Sequence, residues 1–156
     1  MAIKGTLQFK DSDSKEKYSV VECDYLLSRW FSTYDGKPYD GPFGGTINVT
    51  IVTPAKGHGL YEWMLNADMK KDGTITLITN VNDSKKTAYR YIKFEDAYCT
   101  NLFEYFNDKN TNMMTTRIVI NAQRIIFSDG NGNSLGYDRT DHKPIHTTGK
   151  RPTILD

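Results

Sequence analysis

The chain has 156 residues, of which 38% are hydrophobic and 25% are charged, a balance typical of one globular domain rather than of a disordered or fibrous protein. Twenty lysines and arginines stand against nineteen aspartates and glutamates, and the resulting net charge of +1 disfavours a nucleic-acid partner. No apolar run approaches the ~20 residues that span a bilayer, and the alternating first residues are unlike a secretory signal. We therefore expect a cytoplasmic protein without membrane insertion.

The first half of the chain contains three stretches of alternating apolar and polar residues. Residues 2–10 and 46–53 alternate strictly, which is typical of half-buried strands. A further stretch alternates in the same way and puts four side chains on one face: Val21, Cys23, Tyr25 and Leu27. The pattern predicts three strands in this part of the chain.

Residues 33–45 have no usable periodicity. They read Thr-Tyr-Asp-Gly-Lys-Pro-Tyr-Asp-Gly-Pro-Phe-Gly-Gly, with turn-forming residues throughout. The segment is predicted to be a long loop, and loops of this length in compact domains are usually functional or disordered. Its aromatic residues Tyr34, Tyr39 and Phe43 favour function, because they supply contact area that a plain linker lacks.

A helical pattern follows Gly59. One apolar stripe repeats at helical spacing and comprises Leu60, Trp63, Met64 and Ala67. Tyr61 and Leu65 form a second apolar pair on an adjoining flank. A single helix on a sheet buries only one stripe, so the second flank predicts a cover from a neighbouring subunit.

The remaining sequence is mostly typical of strands. Residues 73–79, 87–98, 101–106 and 115–127 are rich in β-branched and aromatic residues, and polar turn segments separate them. Many short strands with one helix predict a mainly β protein, an antiparallel barrel or sandwich. Residues 134–156 are polar and aperiodic, and they are predicted to form an irregular tail.

The sequence contains no recognisable catalytic, cofactor-binding or metal-binding constellation. His142 and His146 are separated by Pro144, which breaks the helix that would bring both to one ion. Cys23 and Cys99 lie within predicted strands without an activating histidine nearby in sequence, so packing is their favoured role. We expect no enzyme and no cofactor.

Two weaker patterns have simpler explanations. The run that begins at Asp129 imitates the opening of a calcium loop, but its later positions fail, and a tight turn is favoured. Tyr89 and Tyr91 could stack nucleic-acid bases, but no basic stripe accompanies them, and aromatic pairing within a sheet is favoured.

Five sequence segments, in this order and with this spacing, carry a family resemblance: residues 43–51, 60–65, 73–76, 93–99 and 114–125. Together they resemble the tube protein of type VI secretion systems in Bacteroidetes, the Hcp-like (TssD) family. The resemblance covers residues 1–128. Family members usually end soon after the strand that closes at 125–127, whereas this chain continues to residue 156.

The resemblance implies a small antiparallel β-barrel with one α-helix that assembles into hexameric rings. Such rings stack into an inner tube, and a contractile sheath ejects the tube. Expected partners are other copies of the chain, the sheath, baseplate and spike components, and effectors carried in the ring lumen. The resemblance also implies a structural protein without enzymatic activity, present in the cytoplasm and then secreted through the apparatus.

The resemblance also assigns residues to two interfaces. The ring-stacking role falls on a loop comprising Tyr34, Asp35, Gly36, Lys37, Pro38 and Tyr39. The ring-closing role falls on a helix flank comprising Tyr61, Glu62 and Leu65. Gly44 and Gly45 are expected to permit a kink or a close approach at the start of the following strand. Residues 1–128 are predicted to form the tube domain, and 129–156 a turn and irregular tail of that domain.

Two alternatives belong to other functional classes. The first is a monomeric β-barrel that binds a small apolar ligand in its interior, although large side chains such as Phe94, Ile118 and Ile120 would fill a small barrel. The second is an enzyme whose site has no linear signature.

Overall fold

The structure, a computed structural model, describes residues 5–10, 17–56, 58–81, 87–109, 113–139, 143–148 and 151–154. Within these ranges one helix and eleven strands follow in the order β1 (Gly5–Phe9), β2 (Lys17–Tyr25), β3 (Ser28–Phe31), β4 (Pro38–Phe43), β5 (Thr46–Val52), α1 (His58–Leu65), β6 (Lys71–Val81), β7 (Thr87–Tyr105), β8 (Thr115–Asp129), β9 (Asn133–Asp138), β10 (Lys143–Thr148) and β11 (Arg151–Ile154). The predicted mainly β class is confirmed. Residues 11–15 and 82–84, whose polar, turn-forming composition predicts turns, lie outside the described residues, as does His142.

Six of the strands close into an antiparallel barrel. Their order is β8, β5, β2, β1, β6 and β7, and β7 pairs back with β8 to complete the circle. The predicted antiparallel barrel with one helix is therefore confirmed. Closure leaves no free edge among these six strands, because each pairs on both sides.

The core lies inside this barrel and is fully packed. Alternate residues of each strand point inward, so the apolar members of the predicted alternations meet there. Ten of the inward side chains are at most 2% exposed: Leu7, Ile47, Val49, Ile51, Ile75, Ile92, Phe94, Ala97, Ile118 and Ile120. The barrel is thus a solid core rather than a container.

Strand β2 departs from the strict alternation that its sequence indicates. Its pairing with β5 shifts register between Val20 and Glu22, which marks a β-bulge. The extra residue turns Val20 and Cys23 toward the same core, although simple alternation assigns them to opposite faces. Val21 is 55% exposed, so the predicted shared face of Val21 and Cys23 is wrong.

Residues 33–45 were predicted to form a loop, and this prediction is wrong for half of the segment. Strand β4 occupies Pro38–Phe43 and pairs with β3 to form a separate two-stranded sheet. We call residues 28–43 the hairpin. Both of its faces meet solvent, so it has no apolar-polar alternation by which to recognise a strand.

Helix α1 packs on β7 through the predicted stripe. Trp63 is 1% exposed, its ring contacts Phe9 at a centroid distance of 5.3 Å, and its Nε1 donates a hydrogen bond to the Ala97 carbonyl at 3.1 Å. Met64 also packs on the core. Ala67 lies beyond the end of the helix and is exposed, so the stripe is shorter than predicted.

The described residues after 129 include three strands, where the sequence predicted an irregular tail. Strand β5 pairs with residues 115–121 of β8. Strand β9 pairs with residues 124–128 on the same edge of β8. Strands β10 and β11 add to β9 in turn. The barrel and this C-terminal extension therefore share the long strand β8.

Candidate functional site

The hairpin exposes aromatic side chains that the core does not need. No side chain of residues 28–43 is buried, and Trp30, Phe31, Tyr34 and Tyr39 are between 58% and 100% exposed. A two-stranded hairpin is marginally stable alone in water, and exposed apolar clusters mark contact surfaces. The hairpin is therefore a candidate interface.

The six residues predicted to stack rings all lie at the tip of this hairpin, where they have different local roles. The Asp35 carboxylate accepts a hydrogen bond from the Lys37 amide at 3.0 Å, and Gly36 has a φ of 74°, so Asp35 and Gly36 shape the turn. The Ser32 carbonyl accepts from the Gly36 amide at 2.8 Å. Tyr34 is fully exposed beside this turn.

The predicted ring-closing flank of α1 is also exposed. Tyr61 is 42% exposed and Leu65 is 82% exposed, while Glu62 between them faces solvent. The Tyr61 hydroxyl donates a hydrogen bond to the Glu104 carboxylate on β7, and this bond raises the pKa of Tyr61. This hydrogen bond connects the helix flank to β7 close to the end of the strand.

Sequence reasoning missed a third apolar surface, which we call the far-end surface. It comprises Phe103, Tyr105, Phe106 and Met113, which are between 39% and 65% exposed. Residues 101–106 were recognised only as an aromatic-rich strand. The spacing of Phe103 and Tyr105 indicates that both side chains lie on one face of the strand. It does not reveal whether that face is buried or exposed.

The far-end surface and the hairpin lie at opposite ends of the barrel. Strand β5 begins beside the hairpin, where Thr46 pairs with Asn121, and it ends where Val52 pairs with Thr115. Tyr105 of the far-end surface pairs with the same Thr115. The length of β5, about 20 Å at ~3.3 Å per residue, separates the two surfaces.

The cysteines have the environment of packing residues rather than of nucleophiles. Burial, with a smaller contribution from the Asp24 carboxylate, raises the pKa of the Cys23 thiol to about 11. Burial also raises the pKa of Cys99. A raised pKa depletes the thiolate, which is the reactive form.

We expect iodoacetamide to alkylate Cys23 at pH 8 about a hundred-fold more slowly than an unperturbed thiol of pKa 9.0, because the pKa of Cys23 is about 11. Peptide mass spectrometry over a time course measures this rate, and the rate should rise with pH up to the thiol pKa. The urea-unfolded chain is the control and should react at the ordinary rate. A folded-state rate equal to that control would contradict the packing role.

The run from Asp129 forms the predicted tight turn. Its carboxylate accepts hydrogen bonds from the backbone amides of Asn131 at 2.9 Å and Asn133 at 3.1 Å, and these bonds lower the pKa of Asp129. Among the described residues, no group of three or more His, Cys, Asp or Glu side chains could hold a metal ion. No described helix is both long and apolar enough to cross a membrane.

A cavity of about 320 Å³ opens at the hairpin end of the barrel. Leu27, Arg90, Phe127 and Leu135 are among its lining residues. It lies at the mouth of the barrel, beside the core residue Ile92.

The barrel is closed and solid, and its exposed apolar side chains lie outside the core, where another protein surface could cover them. The chain belongs to the Hcp (TssD) family, because the family model described as hemolysin coregulated protein Hcp (TssD) matches residues 1–134. This confirms the family resemblance and gives the chain its context, the inner tube of type VI secretion systems. No curated protein was found to match the sequence.

Solved structures of Hcp proteins have the same fold. Hcp1 from Flavobacterium johnsoniae is 27% identical, with a TM-score of 0.67 over 86% of this chain and 98% of that chain. Hcp1 from the E. coli EAEC 042 pathovar is 14% identical, with a TM-score of 0.70 over 88% and 99% of the two chains. Hcp1 from Salmonella typhimurium is 10% identical, with a TM-score of 0.67 over 92% and 100%.

Proposed function

We propose that this chain is the repeating subunit of a type VI secretion tube, in which hexameric rings stack through the hairpin. The observation that carries the proposal is the hairpin itself, which exposes four large aromatic residues and contributes no side chain to the core. Such a surface is stabilised when another protein surface covers it. The role is structural, without a catalytic step or a cofactor.

The hairpin and the far-end surface lie at opposite ends of the barrel. This arrangement supports the stacking of rings that all have the same orientation. When one ring lies on another head to tail, the hairpins of one ring approach the far-end surfaces of the next. Tyr34 and Tyr39 would then meet Phe103 and Tyr105, and aromatic pairs contribute about 0.5–1.5 kcal/mol beyond the area that they bury. The contact is heterologous, so it can repeat along a tube.

Ring closure is assigned to the exposed flank of α1. Tyr61, Glu62 and Leu65 would contact the barrel wall of the neighbouring copy within the ring. This contact is also heterologous, and a fixed rotation between copies closes it into a ring. Leu65 is 82% exposed in the single chain and Tyr61 is 42% exposed, so Leu65 gains more apolar burial than Tyr61 from such a contact.

The remaining parts of the function follow from membership of the tube. We propose that the chain is made in the cytoplasm and leaves the cell when a contractile sheath ejects the tube. Its partners are then the sheath, baseplate and spike components, with effectors in the ring lumen. The nearly neutral net charge of +1 supports a protein partner rather than nucleic acid.

The ligand-binding alternative is disfavoured by the packed interior. Phe94, Ile118 and Ile120 fill the space that a lipocalin-like ligand would occupy, and all three are 0% exposed. Native mass spectrometry separates the two functions, because a tube subunit gives the mass of a ring and a ligand carrier gives that of a monomer with a small molecule.

The stacking role is tested by replacing residues 34–39 with a six-residue Gly-Ser linker. We expect rings of unchanged mass in native mass spectrometry and a loss of most ring-on-ring stacks in negative-stain images. A second variant carries Tyr34→Ser with Tyr39→Ser, which removes the aromatic surface but keeps the turn formed by Asp35 and Gly36. It should show the same loss.

The matched control is Tyr89→Ser, which removes a 41% exposed aromatic residue from strand β7. It should leave both rings and stacks intact. Rings that fall apart in the linker variant would mean that the hairpin belongs to the ring-closing interface, and unchanged stacks would remove its proposed role.

A further inference from the structure

The base of the hairpin is held by a residue from the C-terminal part of the chain. Arg139 directly follows β9, and its Nη2 and Nε both donate hydrogen bonds to the Gly44 carbonyl, at 2.9 and 3.3 Å. Gly44 lies between the hairpin and β5. These two hydrogen bonds thus fix the guanidinium to the point at which the hairpin joins the barrel.

Arg139 is itself firmly placed on the barrel. Its backbone amide donates to the Gln123 carbonyl at 2.8 Å. The preceding residue, Asp138, is 6% exposed and forms an ion pair with Arg124 of β8 at 3.1 Å. Tyr137, one residue earlier, is 4% exposed. The arginine therefore extends from the end of a strand that is paired and packed on the barrel.

Gly44 and Gly45, the two glycines that connect the hairpin to β5, allow the close approach of Arg139. Gly45 has a φ of +103°, and a Cβ there would overlap the Arg139 guanidinium and lie 2.7 Å from the Ala122 carbonyl oxygen. The Gly45 carbonyl accepts a hydrogen bond from the Ala122 amide at 2.7 Å. The Gly45 carbonyl is thus fixed by β8, and the Gly44 carbonyl is fixed by Arg139.

We propose that Arg139 is a positioning residue that sets the direction of the hairpin and so prepares it for stacking. The inference rests on the proposed function. The hairpin is a separate two-stranded sheet with no buried side chain, so contacts at its base determine how it projects. Arg139 lies beyond the residues 1–134 that match the family model, so the family match alone does not imply this role.

The test compares the full-length chain with Arg139→Gln, Arg139→Lys and the control Arg117→Gln, which changes an exposed arginine on β8. Hydrogen exchange is measured on isolated rings for peptides of the hairpin and of barrel strand β8, and stacking is measured by sedimentation and negative-stain images. A hydrogen bond that involves a charged group is worth enough to change an opening equilibrium by about ten- to a hundred-fold.

We expect Arg139→Gln to speed exchange in the hairpin by about ten-fold or more and to reduce stacking, with ring mass and β8 exchange unchanged. Arg139→Lys, which keeps the charge but loses the two-donor geometry, should fall between wild type and Arg139→Gln. If Arg139→Gln does not fold, the lysine variant provides the comparison.

Three outcomes discriminate further. Unchanged hairpin exchange overturns the positioning role, whatever happens to stacking. An equal effect of Arg117→Gln on hairpin exchange in isolated rings also overturns it, because the effect would then reflect the loss of any surface arginine. This control is compared by exchange and not by stacking, since Arg117 pairs with Phe103 of the far-end surface. Faster hairpin exchange with normal stacking overturns the claim that the Arg139–Gly44 contact prepares the hairpin for stacking. The last result is distinct from failure of the stacking proposal itself, which the Tyr34→Ser, Tyr39→Ser variant measures separately.

Discussion

Replacing Trp63 with alanine is expected to lower the free energy of unfolding by about 3–5 kcal/mol. The indole is 1% exposed and packs edge-on against Phe9, so truncation leaves a cavity between α1 and the barrel. It also removes the donor to the Ala97 carbonyl. An unsatisfied buried carbonyl adds about 1–3 kcal/mol to the loss.

Urea unfolding followed by circular dichroism measures this change. Wild type and variant are compared at one low protein concentration, because assembly adds to apparent stability. The control Val21→Ala removes apolar atoms from a residue that is 55% exposed, and it should change stability by less than about 0.5 kcal/mol. A Trp63→Ala loss as small as that of the control would contradict the packing of α1 described above.

Leu65→Asp is expected to abolish rings while leaving the subunit folded. Leu65 is 82% exposed in the single chain, so its replacement disturbs no core contact. In the proposed ring the new carboxylate is buried without a partner at every contact between neighbours, and each such burial costs several kcal/mol. Repetition around the ring makes closure unfavourable.

Native mass spectrometry and size-exclusion chromatography measure this effect, and circular dichroism verifies the subunit fold. Thr33→Asp is the matched control, because it adds the same charge at an exposed residue of the hairpin, remote from α1. It should leave rings closed. Intact rings in Leu65→Asp would exclude the α1 flank from the ring interface.

The barrel was predictable because its physical requirements are local. Residues of β5 must alternate to bury Ile47, Val49 and Ile51, and that alternation is visible in sequence. The helix stripe was predictable for the same reason, since Leu60 and Trp63 repeat at helical spacing. A single buried face dictates a pattern wherever the chain stays regular.

The parts that were mispredicted depend on something other than alternation. A bulge in β2 changes the count of residues between inward positions, and no residue type announces it. The strands of the hairpin are solvated on both faces. In β9, Asp138 is buried because it forms an ion pair with Arg124 across the sheet. A charged residue therefore occupies a buried position that the sequence pattern assigns to the surface.

The candidate interfaces were only partly predictable. The six residues assigned to stacking do share one hairpin tip, and the three assigned to ring closure share one exposed helix flank; both roles remain predictions. The contact of Arg139 with Gly44 joins residues 95 positions apart, which no local pattern reveals. The Gly44–Gly45 pair was its one visible trace, because adjacent glycines permit a close approach.

The solid interior of the barrel determines where a passage through the proposed tube can lie. Among the described residues, the inward side chains leave no bore within a single subunit. Any passage in the tube is therefore enclosed by several copies, and its diameter depends on how many copies close the circle and how each one tilts. Widening it requires altered contacts on the outside of the subunit, whereas smaller core residues would weaken the wall without enlarging the channel.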